Sequence, residues 1–199
     1  MKARLAHGFA TAALGLCLLV SNAAFAGPAT DLVKGTQTAL FDALTTTDAA
    51  SDKKVAALFD EMLDYGALAE GSLGTEWAPR SDAEKAQFSG LLKQLVQKAY
   101  KKNLRKTLGY GIEYLTEEAA GGAVIVKTRA KSLTKDGEEP IAIDFKMVQR
   151  GGTWKVVDIV TEGVSLVTSY RAQFTKVIKK DGFPALITKM KDKIAKGDV

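Results

Sequence analysis

The sequence contains one cysteine, Cys17, and one histidine, His7, and both lie within the first 26 residues. Residues 27–199 therefore have no side chain that could form a disulfide, act as a thiol nucleophile or transfer protons as an imidazole. The usual zinc sites built from nitrogen and sulfur ligands are excluded for the same reason. We expect this part of the chain to work without a metal and without a cofactor.

Long apolar runs are also scarce, and the extended one, Ala10 to Val20, follows Lys2 and Arg4 closely. A positive start, an apolar stretch and the small residues of Ala24-Phe25-Ala26 are typical of a cleavable signal peptide, so we expect residues 1–26 to be removed on export. Lipoprotein processing requires a small residue before the cysteine, whereas Leu16 precedes Cys17. No later run reaches the roughly 18 apolar residues needed for a membrane span.

Removal of 26 of the 199 residues would leave 173, and the formal net charge would fall from +5 to +3 because Lys2 and Arg4 are lost. This length is typical of one compact domain, and we expect residues 27–199 to form it. Such a domain buries roughly 70% of its unfolded surface and is stable without disulfides. The small net charge and the expected export both argue against nucleic acid as a partner.

Apolar residues recur at helical spacing through the first half of the predicted mature chain. One amphipathic helix is predicted with Ser51 as its N-cap, and a weaker pattern precedes it from about Pro28. A short helix interrupted by glycines is predicted over 64–77. The strongest pattern covers 81–108, begins with an S-x-x-E capping box and keeps its large apolar residues on one broad face.

After Gly111 the apolar period changes from 3.6 to 2, which is the pattern of β-strands with one solvated face. Gly137 and the pair Gly151-Gly152 favour hairpin turns. Three antiparallel strands are predicted from this pattern, over 124–131, 141–147 and 154–160, and Ile112 with Tyr114 indicates a fourth.

Two helices are predicted to close the chain, the first with Val164 in its apolar pattern and Gly182 as its stop, the second over 183–195. Helices, then a meander of about four strands, then helices again define an α+β fold, with the helices on one face of a curved antiparallel sheet. The space between the two layers is either packed solid or left as an apolar cavity. The apolar pattern is compatible with both.

Two separated blocks of the sequence carry distinctive residues. The later block contains Trp154, Asp158, Glu162 to Leu166, Ser169 to Phe174 and Gly182. The earlier block contains Leu73-Gly74, Trp77, Ser81, Phe88, Leu92, Tyr100 and Leu104. In order and spacing, these residues resemble the MlaC or toluene-tolerance family. The family often carries an aromatic residue where Leu92 stands here, and the resemblance spans about Ser51 to Lys193.

The resemblance implies a periplasmic phospholipid-binding protein without enzymatic activity, which would hold acyl chains in a deep cavity with the headgroup near its mouth. It implies a monomer that shuttles lipid between an outer-membrane lipoprotein complex and an inner-membrane ABC transporter complex with MCE domains. Related members of the family are associated with hopanoids or other apolar lipids, so such a cargo is the alternative.

Matching positions place three groups of residues near the lipid. The segment from the last strand onward contributes Trp154, Val156, Val164, Leu166, Val167, Tyr170 and Phe174. The other strands contribute Val124, Val126, Ile141, Ile143 and Phe145. The helices contribute Phe59, Met62, Phe88, Leu91 and Leu95. Which of these residues contact lipid and which only pack is left open.

Asp158 admits two interpretations, because its strand parity matches Trp154 and Val156. A carboxylate on the apolar side could be the general base of a small-molecule isomerase or dehydratase. Alternatively, a nearby helix N-terminus or Arg171 could satisfy the carboxylate, as is usual for buried acids.

Four basic residues, Lys98, Lys101, Lys102 and Arg105, share one face of the helix predicted over 81–108. This face is either simply solvated or a docking surface for acidic partner proteins or anionic headgroups.

Overall fold

The computed structural model of the protein describes residues 27–46 and 48–197, without the side chains of 102–104, 106 and 107. The predicted signal peptide lies outside the described residues. The helices are α1 (Pro28–Leu44), α2 (Ala49–Met62), α3 (Tyr65–Leu73), α4 (Asp82–Thr107), α5 (Leu166–Asp181) and α6 (Phe183–Lys196). The strands are β1 (Tyr110–Ala120), β2 (Ala123–Ser132), β3 (Ile141–Arg150), β4 (Thr153–Thr161) and β5 (Val164–Ser165).

The five strands form one antiparallel sheet in the order β1-β2-β3-β4-β5, so every connection joins neighbours. Gly151 and Gly152 have φ of 56° and 82° in the β3–β4 turn, a left-handed conformation that glycine adopts without strain. The predicted meander is confirmed, including the fourth strand at Ile112 and Tyr114. The two-residue strand β5 was not predicted, because a segment this short shows no periodicity.

One face of the sheet carries the buried residues and packs against the helices. Val126 in β2 is paired with Phe145 in β3, and Met147 is paired with Val156 in β4. All four are buried and belong to the same core as Phe59 of α2 and the apolar residues of α4. The opposite face carries charged residues such as Lys146, so the prediction of an α+β fold with helices on one face is confirmed.

The ends of the helices confirm some predicted caps and correct others. The capping box of Ser81 and Glu84 is present at the start of α4. The N-cap of α2 is Asp48 and not the predicted Ser51: the Asp48 carboxylate accepts a hydrogen bond from the Ser51 N–H at 2.7 Å. The Ser51 hydroxyl instead donates to the carbonyl of Ala43 at the end of α1, which joins the two helices.

The apolar spacing predicted that Val164 belongs to the first of the two closing helices, and this prediction is wrong. Val164 lies in β5 and is 61% exposed, and α5 begins two residues later with Ser165 as its N-cap. The turn at Glu162 and Gly163, both with positive φ, separates Val164 from β4. An apolar residue at helical spacing was therefore placed in the wrong element.

Helix α1 begins at a residue that has no side chain to cap it, because its N-cap is Gly27. The carboxylate of Glu117 in β1 takes this role and accepts hydrogen bonds from the Thr30 N–H at 2.9 Å and the Thr30 hydroxyl at 2.8 Å. A carboxylate at this position also complements the positive end of the helix dipole. The strand thus holds the start of α1 in place.

Across the described residues, none of the helices combines the length and the apolar composition that crossing a membrane requires.

Replacing Glu117 with Ala should lower the free energy of unfolding by about 1–2 kcal/mol, because Thr30 is buried and its N–H loses its acceptor. Urea denaturation followed by circular dichroism measures the change. Glu113→Ala removes an exposed acid from the same strand and is the matched control, with no change in midpoint expected. Equal midpoints for the two variants would contradict the capping role.

Candidate functional site

A cavity of about 100 Å³, which we call the sheet-side chamber, lies between the inner face of the sheet and helices α1, α2 and α4. Its walls are almost entirely apolar. The lining residues are Gln37, Leu40, Phe41, Phe59, Met62, Tyr100, Ile112, Ile143, Phe145, Ile159 and Thr161.

A second cavity of about 330 Å³, which we call the helix-side cavity, lies between α4, α5 and α6. Apolar side chains form its floor, and Gln173, Lys189 and Lys193 are its polar members. The lining residues are Leu95, Tyr170, Gln173, Phe174, Val177, Leu186, Lys189, Met190 and Lys193.

The two volumes determine what the interior can hold in this conformation. An engineered protein cavity of about 150 Å³ binds one benzene ring. The sheet-side chamber, at about 100 Å³, is smaller than that, and the helix-side cavity, at about 330 Å³, is roughly twice as large. An apolar cavity is present as predicted, but a lipid with two long chains requires the layers to move apart.

Aromatic rings form much of both walls. The ring of Tyr100 lies 5.7 Å from that of Phe59 beside the sheet-side chamber, and Tyr170 stacks on Phe174 at 5.2 Å beside the helix-side cavity. Burial, followed by the negative charges that Tyr170 and Asp158 can carry, raises the pKa of the Tyr100 phenol. Burial also raises the pKa of Tyr170. Both phenols are therefore neutral near pH 7, which keeps the interior uncharged.

The predicted lining residues fall into three groups. Phe59, Met62, Ile143 and Phe145 line the sheet-side chamber, and Leu95, Tyr170 and Phe174 line the helix-side cavity. The third group lines neither cavity. It consists of the buried core residues Phe88, Leu91, Val126, Val156 and Val167 and the partly buried residues Val124, Ile141, Trp154 and Leu166. Val164 is exposed and lies away from both.

Helix α1 provides a wall of the chamber that the sequence did not assign. Its residues Gln37, Leu40 and Phe41 all line the sheet-side chamber, and Leu40 is buried. The apolar face of α1, with Leu40 and Leu44, was visible in the sequence as a helical pattern. What this face packs against could not be read from it.

The carboxylate of Asp158 is bound within the fold. It accepts hydrogen bonds from the Ser165 hydroxyl at 2.6 Å and from the Val167 N–H at 3.1 Å, at the start of α5. Arg171 donates to the carbonyl of Gly71 at 2.7 Å. The interpretation that a helix N-terminus satisfies Asp158 is confirmed, whereas the predicted partner Arg171 binds elsewhere.

A β-bulge in β4 interrupts the strand alternation that linked Asp158 with Trp154 and Val156. Met147 is paired with Val156, but the preceding residue of β3, Lys146, is paired with Asp158, so one extra residue is inserted in β4. Beyond the bulge, buried Ile159 is paired with buried Phe145. Ile159 therefore lines the chamber, and Asp158 is paired with an exposed lysine.

The basic face of α4 is partly engaged within the molecule. Lys98 donates a hydrogen bond to the carbonyl of Ile194 in α6 at 2.7 Å, and Lys101 forms an ion pair with Asp52 of α2 at 2.5 Å. Arg105 is partly buried, and the side chain of Lys102 lies outside the described residues. These contacts join α4 to its neighbours. A docking role of the basic face stays a prediction.

Together, the fold and the cavities define a class of small α+β proteins in which helices close an apolar interior against a meander sheet. Residues 34–192 match the family model described as "MlaC protein". The chain belongs to the MlaC family, as the resemblance of its sequence motifs indicated.

Two similar proteins carry informative descriptions. The intermembrane phospholipid transport system binding protein MlaC of Haemophilus influenzae is 27% identical over 120 residues, which cover 59% of this chain and 56% of that protein. The chain thus spans about half the length of this relative. A phospholipid-binding protein from Ralstonia solanacearum, solved in complex with a phospholipid, matches with a TM-score of 0.71 and 22% identity. The match covers 87% of this chain and 100% of that structure, and it shows the same fold.

Asp158→Ala should lower the free energy of unfolding by about 1–3 kcal/mol, because the N–H of buried Val167 loses its acceptor at the start of α5. Urea denaturation measures the effect, and Asp192→Ala, an exposed acid on α6, is the control. Asp158→Asn keeps one acceptor oxygen and should lose less. If Asp158→Ala unfolds at the midpoint of the unsubstituted protein, the carboxylate has no capping role.

Proposed function

We propose that the protein is a carrier that holds the acyl chains of a phospholipid in its apolar interior and moves the lipid through an aqueous compartment. The observation that carries this proposal is an uncharged, apolar chamber between sheet and helices in a member of the MlaC family. Two similar proteins, described as a phospholipid transport binding protein and as a phospholipid-binding protein, support it.

The energetics of acyl chains explain what such an interior contributes. Burial of one methylene group is worth about 0.8 kcal/mol, so a 16-carbon chain loses about 12 kcal/mol when it leaves a bilayer for water. An apolar cavity restores most of this free energy without any charged group. Because the sheet-side chamber is smaller than one chain, we infer that α1 and the chamber-lining aromatic residues yield as the lipid enters.

We propose further that the carrier works in the periplasm as a monomer formed by residues 27–199, after removal of residues 1–26. The basic and apolar pattern of the N-terminal segment supports export. Lipid would pass between an outer-membrane lipoprotein complex and an inner-membrane ABC transporter complex with MCE domains. The description of the Haemophilus influenzae relative as part of an intermembrane transport system supports this role.

A small-molecule isomerase or dehydratase built on Asp158 was the competing function. The contacts of Asp158 favour the carrier, because Ser165 and the Val167 N–H bind its carboxylate. A general base must also reach its substrate, and Asp158 is not among the residues that line either cavity.

The carrier predicts near-stoichiometric phospholipid in protein purified without detergent, measured by solvent extraction and mass spectrometry. Ile143→Trp should sharply reduce the bound lipid, because Ile143 lines the chamber and a larger ring fills it. Val148→Trp is the matched control on the same strand. Val148 is paired with Lys155, and its parity places it on the face opposite to Ile143.

Lipid-free protein that also takes up no phospholipid from vesicles would refute the carrier. If the protein instead binds hopanoid or another apolar lipid without a phosphate group, the carrier function holds but its cargo is not a phospholipid. Equal loss of lipid in both tryptophan variants would show that the effect does not come from the chamber.

For docking, Lys101→Glu should slow lipid transfer to partner complexes several-fold at low ionic strength, because it reverses a charge on the basic face. The substitution also breaks the ion pair with Asp52, so Asp52→Asn is the control that breaks the same pair but keeps the lysine. Transfer assays between membranes carrying the partner complexes measure the rate. Equal transfer rates for both variants would show that this basic face is only solvated and has no docking role.

A further inference from the structure

A groove lies on the surface between α1 and β1, next to the sheet-side chamber. This α1–β1 groove has a volume of about 260 Å³. Gln37, Phe41 and Ile112 line both the groove and the chamber, so the two spaces share a wall. The remaining residues of the groove include Lys34, Thr38, Tyr110 and Tyr114. The apolar interior therefore adjoins a surface that carries a cation, hydroxyl groups and an amide.

Lys34 is the cationic group of this groove. Its side chain is exposed, and its ammonium lies 5.9 Å from the centre of the Tyr114 ring. Among residues 27–46 and 48–197, no ion pair of Lys34 is found. The nearest acid along α1 is Asp31, one turn earlier and exposed, and Glu138 at the far end accepts a hydrogen bond from Tyr110 at 3.2 Å. The ammonium is thus available to an anion.

A hydrogen bond crosses the junction between groove and chamber. The Tyr114 hydroxyl donates to the side-chain oxygen of Gln37 at 2.5 Å and so joins β1 to α1. Burial raises the pKa of the Tyr114 phenol to about 12, which keeps it protonated and able to donate. When α1 moves away from β1, this hydroxyl and the amide of Gln37 become free to bind oxygen atoms of a ligand.

We propose that the α1–β1 groove holds the phosphate-bearing headgroup of the lipid whose chains occupy the sheet-side chamber, with Lys34 as the phosphate contact. This inference rests on the proposed function and assigns the mouth through which the lipid leaves the interior. A lysine ammonium binds phosphate as a point charge, and the phenol and amide add hydrogen bonds. The apolar chamber then matches the acyl chains of the lipid, and the polar groove matches its headgroup.

The helix-side cavity offers the competing mouth, because Lys189 and Lys193 line it. Lys189 already forms an ion pair with Asp181 at 2.6 Å, and Lys193 remains as the cation that corresponds to Lys34. Unlike the α1–β1 groove, this cavity shares no lining residue with the sheet-side chamber. Lys193→Glu is therefore the matched control for Lys34→Glu.

The test uses delipidated mature protein and two fluorescent ligands with identical chains, phosphatidylglycerol and the corresponding diacylglycerol, which lacks the phosphate group. Lys34→Glu should weaken the binding of phosphatidylglycerol by about tenfold at low ionic strength and leave diacylglycerol unchanged. Lys193→Glu should change neither Kd. Thermal unfolding by circular dichroism verifies that the variants are folded.

The outcomes separate the two proposals. If the unsubstituted protein binds neither ligand, the carrier function fails and the headgroup site fails with it. If it binds both and Lys34→Glu changes neither or weakens both equally, the headgroup site alone is wrong. If Lys193→Glu selectively weakens the binding of phosphatidylglycerol, the headgroup binds at the helix-side cavity and not at the α1–β1 groove. Titration with inorganic phosphate should give no saturable shift of the α1 amide resonances, and a saturable shift would assign the groove to free anions instead.

Discussion

The burial of a single face of the meander sheet is the constraint on which the rest of the structure depends. Val126, Phe145, Met147 and Val156 present one apolar surface, and the helices must cover it. In the part of the chain that the structure describes, α1, α2, α3 and α5 contact the sheet, and α6 packs on α4 and α5. Because they are rods laid on a twisted surface, they do not fill the space beneath them completely, and the sheet-side chamber is what remains.

An empty apolar chamber reduces the stability of the protein. A cavity costs about 24 cal/mol per Å³, so the sheet-side chamber of about 100 Å³ costs on the order of 2 kcal/mol. A ligand that fills it restores lost contacts and binds only the folded state, which stabilises that state further. A protein that carries an apolar cargo therefore has a physical reason to retain a void that a protein with a solid core would lose.

Local patterns in the sequence were sufficient for most of the fold. The alternation in β2 and β3, the turn at Gly151-Gly152 and the capping box of Ser81 are decided by neighbours within a few residues. The bulge in β4 was not readable, because it depends on pairing with β3, and strand parity across it does not decide the orientation of Asp158. Val164 was misplaced because helical spacing alone cannot detect the turn before it.

The candidate site was predicted less completely than the fold. Aromatic and aliphatic residues on α2, α4 and β3 were correctly associated with the interior, yet core residues and cavity-lining residues share the same chemistry. Phe59 lines the chamber while Phe88 only packs, and hydrophobicity does not separate them. The contribution of Gln37 and Phe41 was missed because α1 meets the sheet through contacts far apart in sequence.

The cap that Glu117 supplies to Thr30 spans 87 positions of the chain. A helix whose first turn is completed by a distant strand cannot gain its full stability from its own residues. The wall that α1 provides to the sheet-side chamber is therefore held in place by a strand that lies far away in the sequence.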